Sequence, residues 1–324
     1  MLMSLAEAIN HTLRQEMAKD SRVMLIGEDV GIGGGVFRIS DGLIKDFGAD
    51  RVIDTPLAES GIVGSAIGLA MAGMRPIVEI QFDGFVYPAF DQLICHAARM
   101  RTRSRGKLTC PMVVRFPYCG GVKALEHHSE SMEAIYVHTP GLKVVCPSTP
   151  YDAKGLLAAA IQDPDPVIFM EPKRLYRSLK EDVPEEEYTI PLGKARVMIE
   201  GDDVTIIGWG AMIPVILKAH AELSKENISM EVIDLRTLSP LDTETILASV
   251  QKTGRCVIIQ EAPRTGGLAS EIATIIMEKA MHSLKAPVER VSGFDVIPPL
   301  LKAEDYNIPD EKRLIAGIRD VLTK

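Results

Sequence analysis

Short runs of apolar, mostly β-branched residues alternate with helical patterns along this 324-residue chain, and that alternation restricts its fold more than any other feature. In the first half, it predicts buried strands at residues 23–26, 77–82, 112–116, 143–146 and 167–170. Helices are predicted between them at residues 4–19, 60–72, 87–100 and 151–162. Such alternation is typical of an α/β protein with a largely parallel sheet and helices on both faces.

A polar, proline-bearing stretch at residues 178–192 interrupts the alternation, which then restarts. The second half predicts strands at residues 204–208, 230–235, 256–260 and 288–291. Its predicted helices are residues 212–223, 243–252, 267–281 and 310–322. We therefore expect two doubly wound α/β domains, residues 1–180 and 199–324, with residues 181–198 as the linker.

Composition excludes several classes of function. The net charge of -8 argues against a nucleic-acid partner. The five cysteines are odd in number and lack a Cys-x-x-Cys pair, so neither a disulfide framework nor a zinc site is indicated, and a reducing cytoplasm is expected. The longest uncharged run is shorter than the roughly 20 apolar residues of a membrane span, so no membrane partner is expected either.

Glu59 is the most informative single residue. It carries a carboxylate into an uncharged, glycine-spaced helical segment from Ser60 to Gly73. Burial at that helix end would disfavour the charged form of the acid, and such acids are candidates for a functional site. A capping or salt-bridged glutamate explains the same pattern equally well.

A glycine-rich loop, GEDVGIGGG at residues 27–35, follows the first predicted strand. The dinucleotide fingerprint would need glycine where Val36 or Arg38 stands, so the loop does not match it. Glu28 and Asp29 remain candidates for binding a polar ligand.

Two further segments could carry function. His127 and His128 lie in a serine-rich loop, although a lone histidine is more often simply packed or exposed. Phe85 and Tyr87 offer aromatic surface to a flat ligand, or pack in the core. The predicted strand ends of the second domain carry Trp209, Arg236, Glu261 and Asp295 without catalytic spacing, so an assembly role is favoured there over catalysis.

Seven motifs, taken in order, resemble the beta subunit of thiamine-diphosphate-dependent 2-oxo acid dehydrogenases. They are GEDVG at 27–31, RVIDTPLAE at 51–59, PIVEIQF at 76–82, PAFDQ at 88–92, HS at 128–129, HTPGLKVV at 138–145 and EPKRLYR at 171–177. The resemblance covers essentially the whole chain. It implies a thiamine pyrimidine-binding domain followed by a transketolase C-terminal-type domain, in a heterotetramer of two alpha and two beta chains.

The resemblance also implies residue roles. The glutamate matching Glu59 bonds a ring nitrogen of the cofactor and promotes formation of its nucleophilic carbon, which is acid–base catalysis through the cofactor. Cofactor contacts are implied for Glu28, Leu57, Ala58, Gln81 and Phe85. Substrate contacts are implied for Phe85, Tyr87 and His128, and the matching histidine also faces the incoming lipoyl group. Glu130 stands where the family usually has glutamine, so the charge beside His128 differs.

The resemblance also concerns two metal sites, one for magnesium and one for potassium. The family's diphosphate and magnesium motif, Gly-Asp-Gly followed by asparagine, is absent; Gly201-Asp202-Asp203 with Asn227 lacks the second glycine. The hard oxygen ligands of magnesium are therefore expected from the alpha chain. Positions matching a potassium site of the family are Met112, Ala160, Ile161, Asp163 and Asp165.

The implied activity is oxidative decarboxylation of a 2-oxo acid with acyl transfer to a lipoyl domain of an acyltransferase core. Residues 171–177 look more like branched-chain members than pyruvate members. Alternatives are a pyruvate or acetoin dehydrogenase beta subunit and a non-catalytic scaffold subunit. A stand-alone thiamine enzyme such as a transketolase is disfavoured by the missing diphosphate motif.

Overall fold

The structure, a computed structural model, describes residues 1–324, and the chain folds into two compact units. The first unit contains Met1–Tyr118 and Ile135–Leu192, and the second contains Cys119–Ala134 and Gly193–Lys324. Residues 181–198, expected to form the linker, fall on both sides of the Leu192/Gly193 boundary and include parts of two strands. None of the helices is both long and apolar enough to cross a membrane.

The first unit is built around a parallel sheet. The strands of this unit are β1 (Leu2–Ser4), β2 (Val23–Gly27), β3 (Val52–Asp54), β4 (Arg75–Glu79), β5 (Val113–Tyr118), β6 (Lys143–Val145), β7 (Val167–Pro172) and β8 (Lys180–Asp182). Strands β1 and β8 form a separate antiparallel pair. Its helices are α1 (Leu5–Lys19), α2 (Leu43–Phe47), α3 (Glu59–Met71), α4 (Met100–Arg103) and α6 (Pro150–Gln162), while α5 (Glu133–Val137) spans a boundary between the units. The strands lie in the order β6-β7-β5-β4-β2-β3, and each of these pairings is parallel.

Helix α1 begins with a capping box and covers one face of this sheet. The Ser4 amide donates to the Glu7 carboxylate at 2.7 Å, and the Glu7 amide donates to the Ser4 hydroxyl at 3.3 Å. Four apolar residues at a spacing of four, Leu5, Ile9, Leu13 and Met17, are buried. They form a core cluster with the buried face of α6, so the stripe predicted by the 3.6-residue period is the packing face.

The second unit repeats the α/β plan. Its strands are β9 (Arg196–Ile199), β10 (Val204–Gly208), β11 (Met230–Asp234), β12 (Thr237–Ser239), β13 (Cys256–Pro263) and β14 (Glu289–Gly293). Its helices are α7 (Ile213–Leu223), α8 (Thr243–Thr253), α9 (Leu268–Ala280), α10 (Glu304–Asn307) and α11 (Glu311–Leu322). A sheet of order β14-β13-β10-β11-β9 is parallel except for the edge strand β9.

The predicted α/β class with two sheet domains is confirmed, and two local predictions are wrong. The strand expected at residues 77–82 is β4, Arg75–Glu79, which ends opposite the end of β2. The helix expected at residues 87–100 is broken into short turns, including a 3-10 turn at Tyr87–Ala89 and a π turn at Asp91–His96. Pro88 lies in the first turn of the expected helix, where a proline is tolerated, so it does not account for the irregular turns that follow.

Candidate functional site

The carboxyl ends of three neighbouring parallel strands gather the expected cofactor residues of the first unit. Gly27, the last residue of β2, pairs with Asp54 at the end of β3 and with Glu79 at the end of β4. The segments that follow these ends carry Glu28, Leu57 to Glu59, and Gln81. Ligands of open α/β sheets bind at this edge.

Asp54 fixes the glycine-rich loop above that edge. Its carboxylate accepts from the Gly31 amide at 2.6 Å and from the Ile32 amide at 3.2 Å. Gly35 has a φ of 78°, and a Cβ there would lie 2.7 Å from a carboxylate oxygen of Glu79. Glycine is therefore required where the loop passes over the end of β4.

Two buried acids, Glu28 and Glu59, interact at this edge. Glu59 is the first residue of α3 and is 8% exposed, as is Glu28. Burial raises the pKa of Glu28 above its ordinary value, and the charges of Glu59 and Asp29 raise it further. The structure thus brings together the two carboxyl groups that the sequence suggested, in an arrangement able to hold and exchange a proton.

The segment leading into α3 leaves groups uncovered for a ligand. Leu57 is 76% exposed and Ala58 is also exposed, although both adjoin the buried Glu59. The Thr55 hydroxyl is buried and has no hydrogen-bond partner. Because buried hydroxyls are normally paired, a polar group of a ligand would complete this position. These features fit the pyrimidine end of thiamine diphosphate.

The aromatic residues lie on the turns that follow β4. Phe85 is half-buried and contacts Phe82 edge to face, with ring centroids 5.5 Å apart. Tyr87 is 42% exposed and makes a similar contact with Phe90 at 5.4 Å. Gln81 is half-buried just before these turns. Each ring packs on a neighbouring ring and keeps exposed surface, so packing is observed and the contact with a ligand stays a prediction.

His128 belongs to the second unit, in the segment Cys119–Ala134. It ends a 3-10 turn, Glu126–His128, and its amide donates to the Leu125 carbonyl at 2.9 Å. Glu130, the departure from the family pattern, lies 3.5 Å from the Nδ1 atom of His127. The substituted carboxylate therefore interacts with the neighbouring histidine.

A buried ion network under the site was missed from the sequence. Arg115 on β5 donates to both oxygens of Glu171 on β7, at 2.6 and 2.7 Å, and also to Glu79 on β4. The Tyr176 hydroxyl donates to Glu171 at 2.6 Å. The sequence signal for this network was a single charged residue within or beside each of these otherwise apolar predicted strands. This network joins three strands next to the edge that holds Glu28.

The expected potassium positions have other partners in the structure. One guanidinium nitrogen of Arg75 donates to the Ile161 carbonyl at 2.8 Å and to the Asp163 carbonyl at 3.3 Å. The carboxylate of Asp163 binds Lys143, and that of Asp165 binds Arg101 at 2.7 Å. The carbonyls of the two remaining positions, Met112 and Ala160, accept backbone amides. These partners are all protein groups, and a backbone carbonyl that accepts one hydrogen bond keeps a second lone pair, so potassium binding at these positions stays a prediction.

The near match to a magnesium motif is a structural turn. Asp203 accepts from the Ser229 amide at 2.7 Å, and the Asp202 amide donates to the Ser229 hydroxyl at 3.1 Å. These residues precede β10, at the amino end of its strand, whereas ligands of such sheets bind at the carboxyl ends. No group of three or more His, Cys, Asp or Glu side chains that could hold a metal occurs in the chain.

Comparison with known proteins agrees with this architecture. Residues 2–178 match the family described as "Transketolase, pyrimidine binding domain", and residues 193–314 match "Transketolase, C-terminal domain". A solved structure described as "Split gene transketolase, inactive beta4 tetramer" has a TM-score of 0.81 and 23% identity, covering 99% of this chain and 98% of that one. Fold and matched domains together define the transketolase-like class.

Closer relatives narrow the class. The chain is 53% identical over 318 residues to the pyruvate dehydrogenase E1 component subunit beta of Acholeplasma laidlawii, covering 98% of this chain and 97% of the relative. It is 52% identical over 320 residues to the subunit of the same name from Bacillus subtilis, covering 99% and 98%. The chain therefore belongs to the family of beta subunits of thiamine-diphosphate-dependent 2-oxo acid dehydrogenases, as its ordered motifs indicated.

Proposed function

We propose that this chain supplies the acid–base half of a thiamine diphosphate site, and that Glu59 is its central residue. The observation that carries the proposal is a buried acid at the start of α3, coupled to Glu28 at the carboxyl edge of a parallel sheet. The reaction is oxidative decarboxylation of a 2-oxo acid with transfer of the acyl group to a lipoyl domain.

Individual residues of this chain have separate roles in the proposed reaction. When bound, the cofactor supplies a carbon nucleophile toward the 2-oxo group and accepts the electrons left by decarboxylation. Glu59 holds the aminopyrimidine ring and exchanges a proton with its nitrogen, while Glu28 beside it helps to retain that proton. Phe85 and Leu57 pack on the ring and exclude water. His128 positions the substrate and the acyl carrier.

The diphosphate and its magnesium are assigned to an alpha chain, in a heterotetramer of two alpha and two beta subunits that docks on a lipoyl acyltransferase core. Support comes from the names of the relatives as E1 subunits. The chemistry agrees, because magnesium prefers oxygen ligands and the Gly201-Asp202-Asp203 segment faces the wrong end of its strand.

Pyruvate is the substrate we propose, in place of the branched-chain 2-oxo acids that residues 171–177 favoured. The relatives at 50–53% identity are named for pyruvate. In that segment, Glu171 and Tyr176 are buried in the ion network with Arg115. Packing of the sheet accounts for these two residues, so they give no separate support to a branched-chain substrate.

A reconstitution experiment tests both the activity and the substrate. We assay two samples, the isolated chain and the chain co-expressed with a candidate alpha chain. Pyruvate and branched-chain 2-oxo acids are the substrates, and a dye is the electron acceptor. We expect turnover only with the alpha chain, and a kcat/KM for pyruvate about 10- to 200-fold above that for a substrate with added methylenes.

Other outcomes of the same assay separate the alternatives. Tight binding of thiamine diphosphate and turnover by the isolated chain would indicate a stand-alone enzyme. Preference for a branched-chain 2-oxo acid would overturn the pyruvate assignment while leaving the subunit role in place.

A further inference from the structure

The loop that carries His128 is anchored to the second unit. The segment Cys119–Ala134, here called the histidine loop, belongs to that unit although it directly follows β5 of the first. Positive φ angles occur at Cys119 (71°), Gly121 (95°) and Lys123 (56°). The Cys119 amide donates to the Glu130 carbonyl at 2.9 Å and closes the loop. Because non-glycine residues rarely adopt positive φ, surrounding contacts must impose this conformation.

Two buried carboxylates make such contacts. Glu261, near the end of β13, accepts a hydrogen bond from the Gly120 amide. Glu304, the first residue of α10, accepts from the Lys123 amide at 3.0 Å. Both acids are buried, and Glu304 is only 2% exposed. Hydrogen bonds from amides to carboxylates are stronger than those between neutral groups.

Close packing at Gly120 adds a steric component. A Cβ on Gly120 would lie 2.6 Å from Oε1 of Glu304 and 3.0 Å from Cδ1 of Ile308. That Oε1 atom is buried and has no hydrogen-bond partner. An acid buried with one oxygen unsatisfied lowers stability compared with an apolar residue of similar volume. A purely structural role would therefore be served better by an apolar side chain.

We propose that Glu261 and Glu304 are positioning residues that hold the histidine loop in the conformation that presents His128 for reaction. The inference rests on the proposed function, because it gives His128 a role toward the substrate and the acyl carrier. Catalytic groups displaced by about 1 Å lose roughly 100-fold in rate, so a loop held by two charged acceptors preserves activity. The C-terminal-type domain thereby contributes to catalysis and not only to assembly.

The test uses three variants of Glu304 or its neighbour, each assembled with the alpha chain. Glu304→Met keeps the buried volume and removes the acceptor, whereas Glu304→Gln keeps an acceptor oxygen for the Lys123 amide. Asp305→Ala is the matched control, since Asp305 contacts only the Lys123 ammonium at the surface, at 2.8 Å. Hydrogen exchange of residues 119–134, thermal stability, kcat and KM are measured for each complex.

The expected results distinguish a positioning role of Glu304 from a purely structural one. Glu304→Met should leave thermal stability unchanged or raised, speed exchange of the histidine loop about tenfold, and lower kcat about 10- to 100-fold with little change in KM. Glu304→Gln should restore most of the activity and protection, and Asp305→Ala should match wild type. Glu261→Met is expected to repeat the Glu304→Met result.

Other results would overturn the proposal or show a different role for Glu304. Unchanged exchange of residues 119–134 in Glu304→Met, or equal losses in Asp305→Ala, would overturn the proposal. If His128→Ala keeps wild-type turnover, the proposed role of His128 fails, yet the exchange data still decide whether Glu304 holds the loop. A Glu304→Met chain that unfolds at lower temperature than wild type would show a structural role instead.

Discussion

At the scale of single residues, the proposed chemistry of this chain depends on how Glu28 and Glu59 share one buried environment. Each is 8% exposed, and the charge of Glu59 helps to raise the pKa of Glu28. Removing acids from water disfavours their charged forms, and two neighbouring carboxylates ionise less readily than either one alone. Keeping Glu28 charged in this environment lowers the stability of the free chain.

The pH dependence of stability follows from this shift. Since the pKa of Glu28 is higher in the folded than in the unfolded chain, the folded chain binds more protons between the two values, and stability falls as pH rises above about 4.5. Glu28→Gln should therefore raise the free energy of unfolding at pH 7 and have a smaller effect at pH 4, measured by urea denaturation at both.

Glu7→Gln serves as the control with opposite sign. The hydrogen bond from the Ser4 amide, with further help from the Ser4 hydroxyl and Lys180, lowers the pKa of Glu7. Its contribution to stability is present above the unfolded pKa and is lost as pH falls, so Glu7→Gln should destabilise at pH 7. Equal effects of Glu28→Gln at pH 4 and pH 7 would contradict the assigned cause.

The sequence could indicate some of these residues and not others. Glu59 was visible because a lone acid precedes an uncharged helical run, which is a local pattern. The hydrogen bond from the Ile32 amide to Asp54, which supports the glycine-rich loop, joins residues 22 positions apart. The ion pair of Arg115 with Glu171 joins residues 56 positions apart. Only the register of a folded sheet brings such groups together, so sequence patterns could not identify them.

At the scale of elements, packing of α1 against α6 secures the sheet that carries the site. Helices with an apolar stripe at a spacing of three or four were predicted nearly to the residue, since burial of that stripe dictates their form. The short strands β1 and β8 were not predicted. Their paired residues, such as Leu2 with Asp182, are 176 to 180 positions apart, and neither strand has enough length to show a pattern.

Leu13 tests the contribution of this helix. Its side chain is fully buried in the cluster between α1 and α6. Leu13→Ala should lower the free energy of unfolding by about 2–5 kcal/mol, because a cavity is left in a packed core. Lys19→Ala, on the same helix but in a surface ion pair with Glu187, should cost less than about 1 kcal/mol. Urea denaturation followed by circular dichroism measures both, and equal losses would contradict the packing described for α1.

At the scale of the whole molecule, the chain is an enzyme subunit, and the proposal is that it holds part of a site. Its first unit supplies acids and aromatic surface at a sheet edge, while its near match to a magnesium motif is a turn at the opposite end of a strand. The two-domain class was predicted from alternating patterns, and the family from ordered motifs. Substrate choice stays a prediction, and two residues of the segment on which it relied, Glu171 and Tyr176, are buried in the core.

Turnover by a Glu59→Gln variant assembled with the alpha chain is the most direct measurement of this account. Glutamine keeps the size of the side chain but cannot exchange a proton, so decarboxylation should fall by about 10²- to 10⁴-fold while the complex elutes at the wild-type position on size exclusion. Glu226→Gln, in an exposed ion pair with Arg319, should retain full activity. Wild-type turnover by Glu59→Gln, or loss of assembly instead of turnover, would contradict the assignment of Glu59.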